Sequence, residues 1–387
     1  MKDSEEKPEA DFASMSSNII SDFAPILALF GEQVAKQFLS QSMGWGDHII
    51  FSMAPLGIIT AVISAIRIGG PQWLKAIVGR AREHRAAAEL ELMSSTSHEV
   101  CELWNGQNIV RILGAPAIRE LVLIKSSTPG ETSEEAGVMY ELHTLDNEMS
   151  EQHFENTTRH SDLPITSAPN ITLNINKRVP QVEIRCVAIS AVSLQAAVLV
   201  YAYNSTYNAR LRRSLNVEWD AVWAWYCTLI GTVLLVTGVL ACCLIIEKST
   251  VEKTYHLKSG GGRLLWLQKG QTVSDQVFNS SVILAKDSTS IILTSRRNED
   301  LNDLFHPTSW AIRYGTIGAA ILSISGFIVQ FMGLRGMHWS VSVAQFVSTA
   351  VMTVLRAVLR RGLSDCPEHH KLPKDHEIDW LSVRFPE

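Results

Sequence analysis

Charge is scarce in this chain. Only 19% of its 387 residues are Asp, Glu, Lys or Arg, where soluble domains carry about 25%. The net charge is −5 and no basic domain stands apart, which excludes a nucleic-acid partner. Cysteine is scarce too. The six are Cys101, Cys186, Cys227, Cys242, Cys243 and Cys366. Most lie in or beside apolar runs, so no disulfide framework is indicated. The N-terminal MKDSEEKPEAD lacks the basic start and short apolar core of a signal peptide, so targeting is expected to rest on the first membrane span. No Walker loop, GxGxxG after a strand, GxSxG elbow or HExxH occurs. No catalytic residue, cofactor or metal is therefore assigned, and an enzymatic role is disfavoured.

What the chain does have is long apolar runs. Between Asp220 and Glu247 no residue is charged, and about 20 apolar residues suffice to cross a hydrocarbon core as a helix. Trp219, Trp223, Trp225 and Tyr226 crowd one end of that run, where amphipathic rings sit at headgroup depth. Four further spans are expected, at 47–68, 186–203, 310–334 and 337–360, with this one at 220–246. The first is interrupted by Pro55 and Gly57; a re-entrant or interfacial segment is the alternative there. Residues 1–21 read as disordered, and 22–40 as an amphipathic helix carrying Phe23, Ile26, Leu27, Phe30, Val34 and Phe38. A short loop covers 204–219, and a polar tail 361–387. Mean hydropathy is only +0.09 because two long polar stretches, 69–182 and 247–309, separate the spans. Both hold strand candidates, among them 109–113, 121–124 and 138–145. Ile171, Leu173 and Ile175 alternate with Thr172, Asn174 and Asn176, a half-buried strand pattern. The fold class expected is thus an integral membrane α-helical protein of about five transmembrane helices, with a β-rich extramembrane domain built from two long loops.

Lys and Arg collect on one side of that arrangement: Arg67, Lys75, Arg80, Arg82 and Arg85, then Lys177, Arg178 and Arg185, and later Lys248, Arg360 and Arg361. Cytoplasmic flanks carry this excess, so both long loops are expected in the cytosol and the N-terminus outside. Arg210, Arg212 and Arg213 are the exception. Sequons at Asn156, Asn170, Asn204 and Asn279 pull the other way, since the three in the long loops are usable only if those loops are lumenal. Cys242 and Cys243, near the cytosolic end of their span, are lipidation candidates; close helix packing is the competing use. His98 with Cys101, and Cys366 with His369, His370 and His376, have Cys/His spacings that fall short of a four-ligand zinc site. Lys258–Arg263, with three glycines, reads as a turn. Gln195, Gln330 and Gln345, well inside spans, read as hydrogen-bonding links between helices. Gly315, Ala319, Gly326 and Gly333, and then Ser340, Ala344 and Ser348, read as packing faces.

The stretch from Phe23 to Glu83, with STSHEVCELWNGQNIVRILGAPAI downstream, resembles a family of uncharacterised multi-pass membrane proteins of filamentous fungi. Some members carry ankyrin repeats, absent here. The resemblance implies an integral membrane protein and no catalytic residues. The function expected is non-enzymatic: a multi-pass membrane protein, in a membrane the sequence does not specify, with the bilayer and a cytosolic protein as partners. The alternatives are a small-molecule transporter or channel subunit, and a membrane-bound enzyme or accessory factor of fungal specialised metabolism.

Overall fold

A computed structural model describes residues 31–42, 44–125, 140–144, 149–151, 168–175, 179–210, 222–257, 261–298, 306–364, 367–374, 376 and 379–380. The disordered segment expected at 1–21, the first part of the amphipathic helix, Asn156, Arg212, Arg213, Lys258 and Cys366 lie outside them. The chain divides into two compact units. One takes residues 1–83, 179–249 and 299–361, the other 84–178, 250–298 and 362–387.

The first unit is helical. In chain order it holds α1 (Glu32–Gln41), α2 (Trp45–Met53), α3 (Ile58–Gly69) and α4 (Gln72–Ile77), then α7 (Gln181–Tyr207), α8 (Val222–Lys248), α9 (Pro307–Arg335) and α10 (Trp339–Leu359). Two short helices of the other unit, α5 (Arg85–Leu92) and α6 (Ile171–Ile175), fall between. Four of these, α7 to α10, are long and apolar enough to cross a membrane.

The α8–α9 pair is set by small residues in a heptad-like seam. Gly231 faces Gln330, Gly238 faces Ser323, Leu235 faces Gly326 and Thr228 faces Gly333. One index rises as the other falls, so the helices are antiparallel. A β-carbon at any of these four glycines would collide with the partner backbone. Helices in lipid associate through such close packing, because burying apolar surface drives nothing there. Gly315, read as part of this face, meets nothing within 4 Å and lies off the seam. The glutamines act as links. Gln330 Nε2 donates to Thr232 Oγ1 at 2.9 Å, and Gln195 and Gln345 exchange amide bonds at 3.1 and 3.3 Å between α7 and α10. Tyr201 Oη donates to Ser340 Oγ at 2.9 Å in the same pair, and Ser348 is buried.

The span expected at 47–68 is not one helix. Ala54 leaves helical geometry ahead of Pro55, and Gly57 takes φ +76°, a left-handed conformation. Proline disfavours helix in the residue before it, and glycine admits the left-handed turn. The pieces α2 and α3 measure about 14 and 18 Å at 1.5 Å per residue, and each is short of a ~30 Å core. Both outer ends of the pair lie at the same end of the bundle. At the start of α2, Asp47 pairs with Arg360 just past α10 (3.0 Å), and His48 meets Glu247 near the end of α8 (2.6 Å). At the close of α3, Gly69 packs on Ile245, Ile312 and Thr316, near the end of α8 and the start of α9. The break points inward and α1 seats on it: Gly31 and Ala35 lie against Leu56 and Gly57. Arg67 then grips Glu83 through two nitrogens, at 2.6 to 3.2 Å. That pair pins the turn carrying α4.

The second unit is built on sheets. It holds α5 (Arg85–Leu92), β1 (Val100–Trp104), β2 (Ile109–Leu113), β3 (Ile118–Lys125), β4 (Tyr140–Thr144), β5 (Met149–Glu151) and α6 (Ile171–Ile175). The second long loop adds β6 (Thr250–Leu257), β7 (Arg263–Gln268), β8 (Gln271–Val273), β9 (Gln276–Phe278), β10 (Ser281–Leu284) and β11 (Ile291–Arg297), and the C-terminal segment adds β12 (Glu368–Lys371). One sheet runs β12-β10-β7-β3-β4 and another β11-β6-β5, with hairpins β1-β2 and β8-β9. The two loops are interleaved, since β3 pairs with β7 and β5 with β6. The tail is not merely polar: β12 pairs with β10, and Leu372 packs on Leu265, Leu267 and Val282. The other face of that sheet buries Trp266, Leu264, Ile283, Val122 and Ile292 in one core.

The strand expected over 171–175 is the helix α6. Asn174 in it, and Asn170 just before it, serve the edge of β11 instead of solvent. Asn170 accepts from Ser295 N (3.0 Å) and donates to Ser295 O (3.2 Å), and Asn174 does the same with Leu293 at 2.8 Å each. A carboxamide presents the same donor–acceptor pair as a peptide group. Four residues along a helix thus match two along a strand, and the edge is capped without another strand. Gln268 repeats the device on Trp104 N and O, at 2.8 and 3.0 Å.

Candidate binding site at one end of the helical bundle

The sequence-derived candidates separate in space. Cys101 is fully buried and donates to Ile112 O at 3.6 Å, burial pushes its thiol up to about 12, and His98 is exposed. They form no nucleophile pair. His369 packs tilted against Trp104 (4.7 Å), His370 likewise against Trp380 (5.7 Å), and His376 bonds Asp379 (3.0 Å). Among the described residues no three metal-binding side chains gather. Arg263, at the end of the glycine-rich stretch, bonds Ala285 O and pairs with Glu368.

Cys242 and Cys243 are 0% and 1% exposed, and Cys242 Sγ sits 3.9 Å from Ser323 Oγ in the α8–α9 seam. Their geometry is that of packing residues, and an acyl chain does not fit there. Asn170 is buried with its amide fully used, so a glycan does not fit the folded β-unit at that position. Asn279 is exposed and Asn204 partly so.

Buried polar groups in the β-unit are bound to one another. Glu102, fully buried, accepts from Arg111 Nη1 (2.9 Å) and from both Thr172 Oγ1 (2.7 Å) and Thr172 N (2.8 Å). Arg111 also donates to the carbonyls of Glu89, Leu90, Ser94 and Ser95. Glu89 accepts from Ser95, Ser97 and Arg297 at 2.9 to 3.1 Å. Glu120 accepts from Trp266 Nε1 at 2.9 Å, and burial raises its carboxyl to about 7. These networks explain how the domain holds; each of these carboxylates has its partner inside the fold, while Gln271 Nε2, Ser281 Oγ, Ser295 Oγ and Arg297 Nε are buried with none among the described residues.

The helical unit contains a cluster of a different kind, which the sequence reading passed over. Arg356 lies one turn before the end of α10 and is 2% exposed. Its Nη2 donates to Ile50 O (2.7 Å), Phe51 O (3.1 Å) and Ala54 O (2.6 Å). These are carbonyls that α2 leaves open as it ends. The guanidinium carbon is 5.2 Å from the Phe51 ring and 5.8 Å from Phe38, and that of Arg360 is 5.3 Å from the same Phe38 ring. The two rings stack at 5.5 Å. The acids nearby are engaged elsewhere: Asp47 with Arg360 and Glu247 with His48. Arg356 Nε and Nη1, Arg360 Nε, His48 Nδ1 and Gln41 Oε1 are buried with no hydrogen-bond partner among the described residues. One signal marked the place in the sequence: Arg356 is the only charge inside the run from Met337 to Leu359.

Fold and site together define a class: a four-helix unit able to span a bilayer, joined to a β-unit whose segments come from three parts of the chain. Comparison with known proteins finds no matching family model, no matching curated protein and no matching solved structure.

Proposed function

We propose that the chain is a non-enzymatic multi-pass membrane protein whose β-unit lies in the cytosol and binds a protein partner. The observation that carries this reading is where the chain leaves the bundle. Every connection to the β-unit departs from the end formed by Gln181, Lys248, Pro307 and Leu359. The α2–α3 pair enters and leaves by that end, so Trp45 at the start of α2 falls on the same side. Arg67, Lys75, Arg80, Arg82, Arg185, Lys248, Arg360 and Arg361 then flank one face of the membrane, against Arg210, Arg212, Arg213 and Arg335 on the other. That is the cytosolic bias. The short helix α4 exposes Trp73 and Ile77 beside Lys75, a composition suited to the interface. The likeness to fungal membrane proteins fits this class and adds no activity.

The inward-pointing break between α2 and α3 favours a second reading, a small-molecule transporter or channel subunit, because broken helices build substrate sites in such proteins. Photo-cross-linking of the full-length protein in native membranes separates the two. With the probe at Val277, exposed on the β8–β9 hairpin, the first reading predicts one recurrent protein adduct. No adduct at Val277 or at other exposed β-unit positions, together with solute flux in proteoliposomes, supports the second.

A further inference from the structure

We propose that the Arg356 cluster is a binding site for a phosphate-type oxyanion, with Arg356 as the anchoring cation and Arg360 beside it. The argument begins with what Arg356 lacks. One of its nitrogens serves three backbone carbonyls, while the other two, with three N–H bonds between them, point at no acceptor among the described residues. A buried donor left open costs about 1–3 kcal/mol, more when charged. Among the described residues no carboxylate offsets it within ion-pair distance, since Asp47 holds Arg360 and Glu247 holds His48.

The surroundings match the ligand. Phe38 and Phe51 form an apolar wall that keeps the guanidinium planes in place. The open Nε and Nη1 lie on opposite edges of the guanidinium, so each offers single charged N–H donors to a phosphate oxygen, while the parallel forks need the Nη2 that the carbonyls occupy. Arg360 Nε, also buried and open, offers a second donor across the Phe38 ring. Depth fits as well. Arg356 stands three residues before Leu359, about 5 Å along the axis at 1.5 Å per residue. That is near the boundary of acyl chains and headgroups if the bundle lies in a bilayer. The phosphate of an anionic phospholipid and a soluble phosphate share this chemistry.

Only the lipid source rests on the membrane reading above, so the test has two arms. Full-length protein is placed in nanodiscs of phosphatidylcholine alone, or with phosphatidylglycerol, or in phosphatidylcholine with inorganic phosphate added. Melting temperature and, by native mass spectrometry, retained lipid are recorded. The expected result is a higher melting temperature with phosphatidylglycerol, and about one such lipid retained per chain. If only inorganic phosphate raises the melting temperature, the site stands and its ligand is soluble. Arg356→Gln should lower retention or the phosphate response at least tenfold, and Arg356→Lys, which keeps the charge but loses the separate Nε and Nη1 donors, should fall between. Arg335→Gln, at the other end of α9, should leave both unchanged. Because Arg356→Gln also frees three carbonyls and so risks misfolding, the wild-type responses decide independently. A wild type indifferent to both additions overturns the proposal, as does equal retention in wild type and a folded Arg356→Gln variant.

Discussion

Gly326→Leu is expected to collapse the α8–α9 pair, while Gly315→Leu on the same helix is expected to be tolerated. The two glycines lie eleven residues apart in one apolar run, and hydropathy does not tell them apart. Contact does. A β-carbon on Gly326 would run into the backbone of Leu234 and Leu235, whereas one on Gly315 meets nothing within 4 Å. Backbone cannot step aside as a flexible side chain can, so the helices must separate. Separation would also loosen the matching contacts of Gly231, Gly238 and Gly333, which share the seam. Overpacking costs about 1–3 kcal/mol at a well-packed site, and Gly326→Leu should reach the top of that range. Melting temperature of detergent-purified protein reads the difference. Equal melting of the two variants would mean that this seam does not hold the bundle.

The second large effect belongs to the β-unit. Arg111→Leu removes the partner of Glu102, a fully buried carboxylate, and frees the carbonyls of Glu89, Leu90, Ser94 and Ser95 at once. Breaking one side of a buried pair costs about 3–5 kcal/mol because the remaining charge is stranded. Thr172 still donates to Glu102, but two neutral donors do not replace a cation. Limited proteolysis should show cleavage within the β-unit under conditions where the wild type resists. Adding Glu102→Gln should restore part of the resistance, since it removes the stranded charge. Wild-type resistance in Arg111→Leu alone would show that the network is not what holds the domain.

The long helices were readable because a bilayer imposes a blunt rule, and a run without charge is hard to misread. Their ends were less so. The expected 186–203 is Gln181–Tyr207, because polar residues such as Glu183 and Asn204 continue a helix beyond its apolar part. The break at Pro55 and Gly57 was visible, yet apolar length alone made one span of 47–68. What decides it is where the two outer ends go, and that depends on Asp47, His48 and Gly69 meeting distant partners. At 171–175 alternation misled for a physical reason. Asn170 and Asn174 turn their amides to a strand edge, and a helical i, i+4 spacing serves that edge. The Arg356 cluster was least legible, because its meaning lies in three carbonyls some 300 residues away in sequence.

The central claim is that the chain crosses the membrane four times and that the start of α2 and the β-unit lie on one side. Single cysteines at Trp45, Ala209 and Ser288, all exposed positions, test it with a membrane-impermeant maleimide, read over the wild-type background. Trp45 opens the α2–α3 pair, Ala209 follows α7, and Ser288 lies in the β-unit. The account predicts that in intact cells only Ala209 is labelled, and that Trp45 and Ser288 become reactive together on permeabilisation. Labelling of Trp45 along with Ala209 would make 47–68 a fifth crossing. Labelling of Ser288 with protection of Ala209 would invert the molecule and place the β-unit outside the cytosol, and either result contradicts the account.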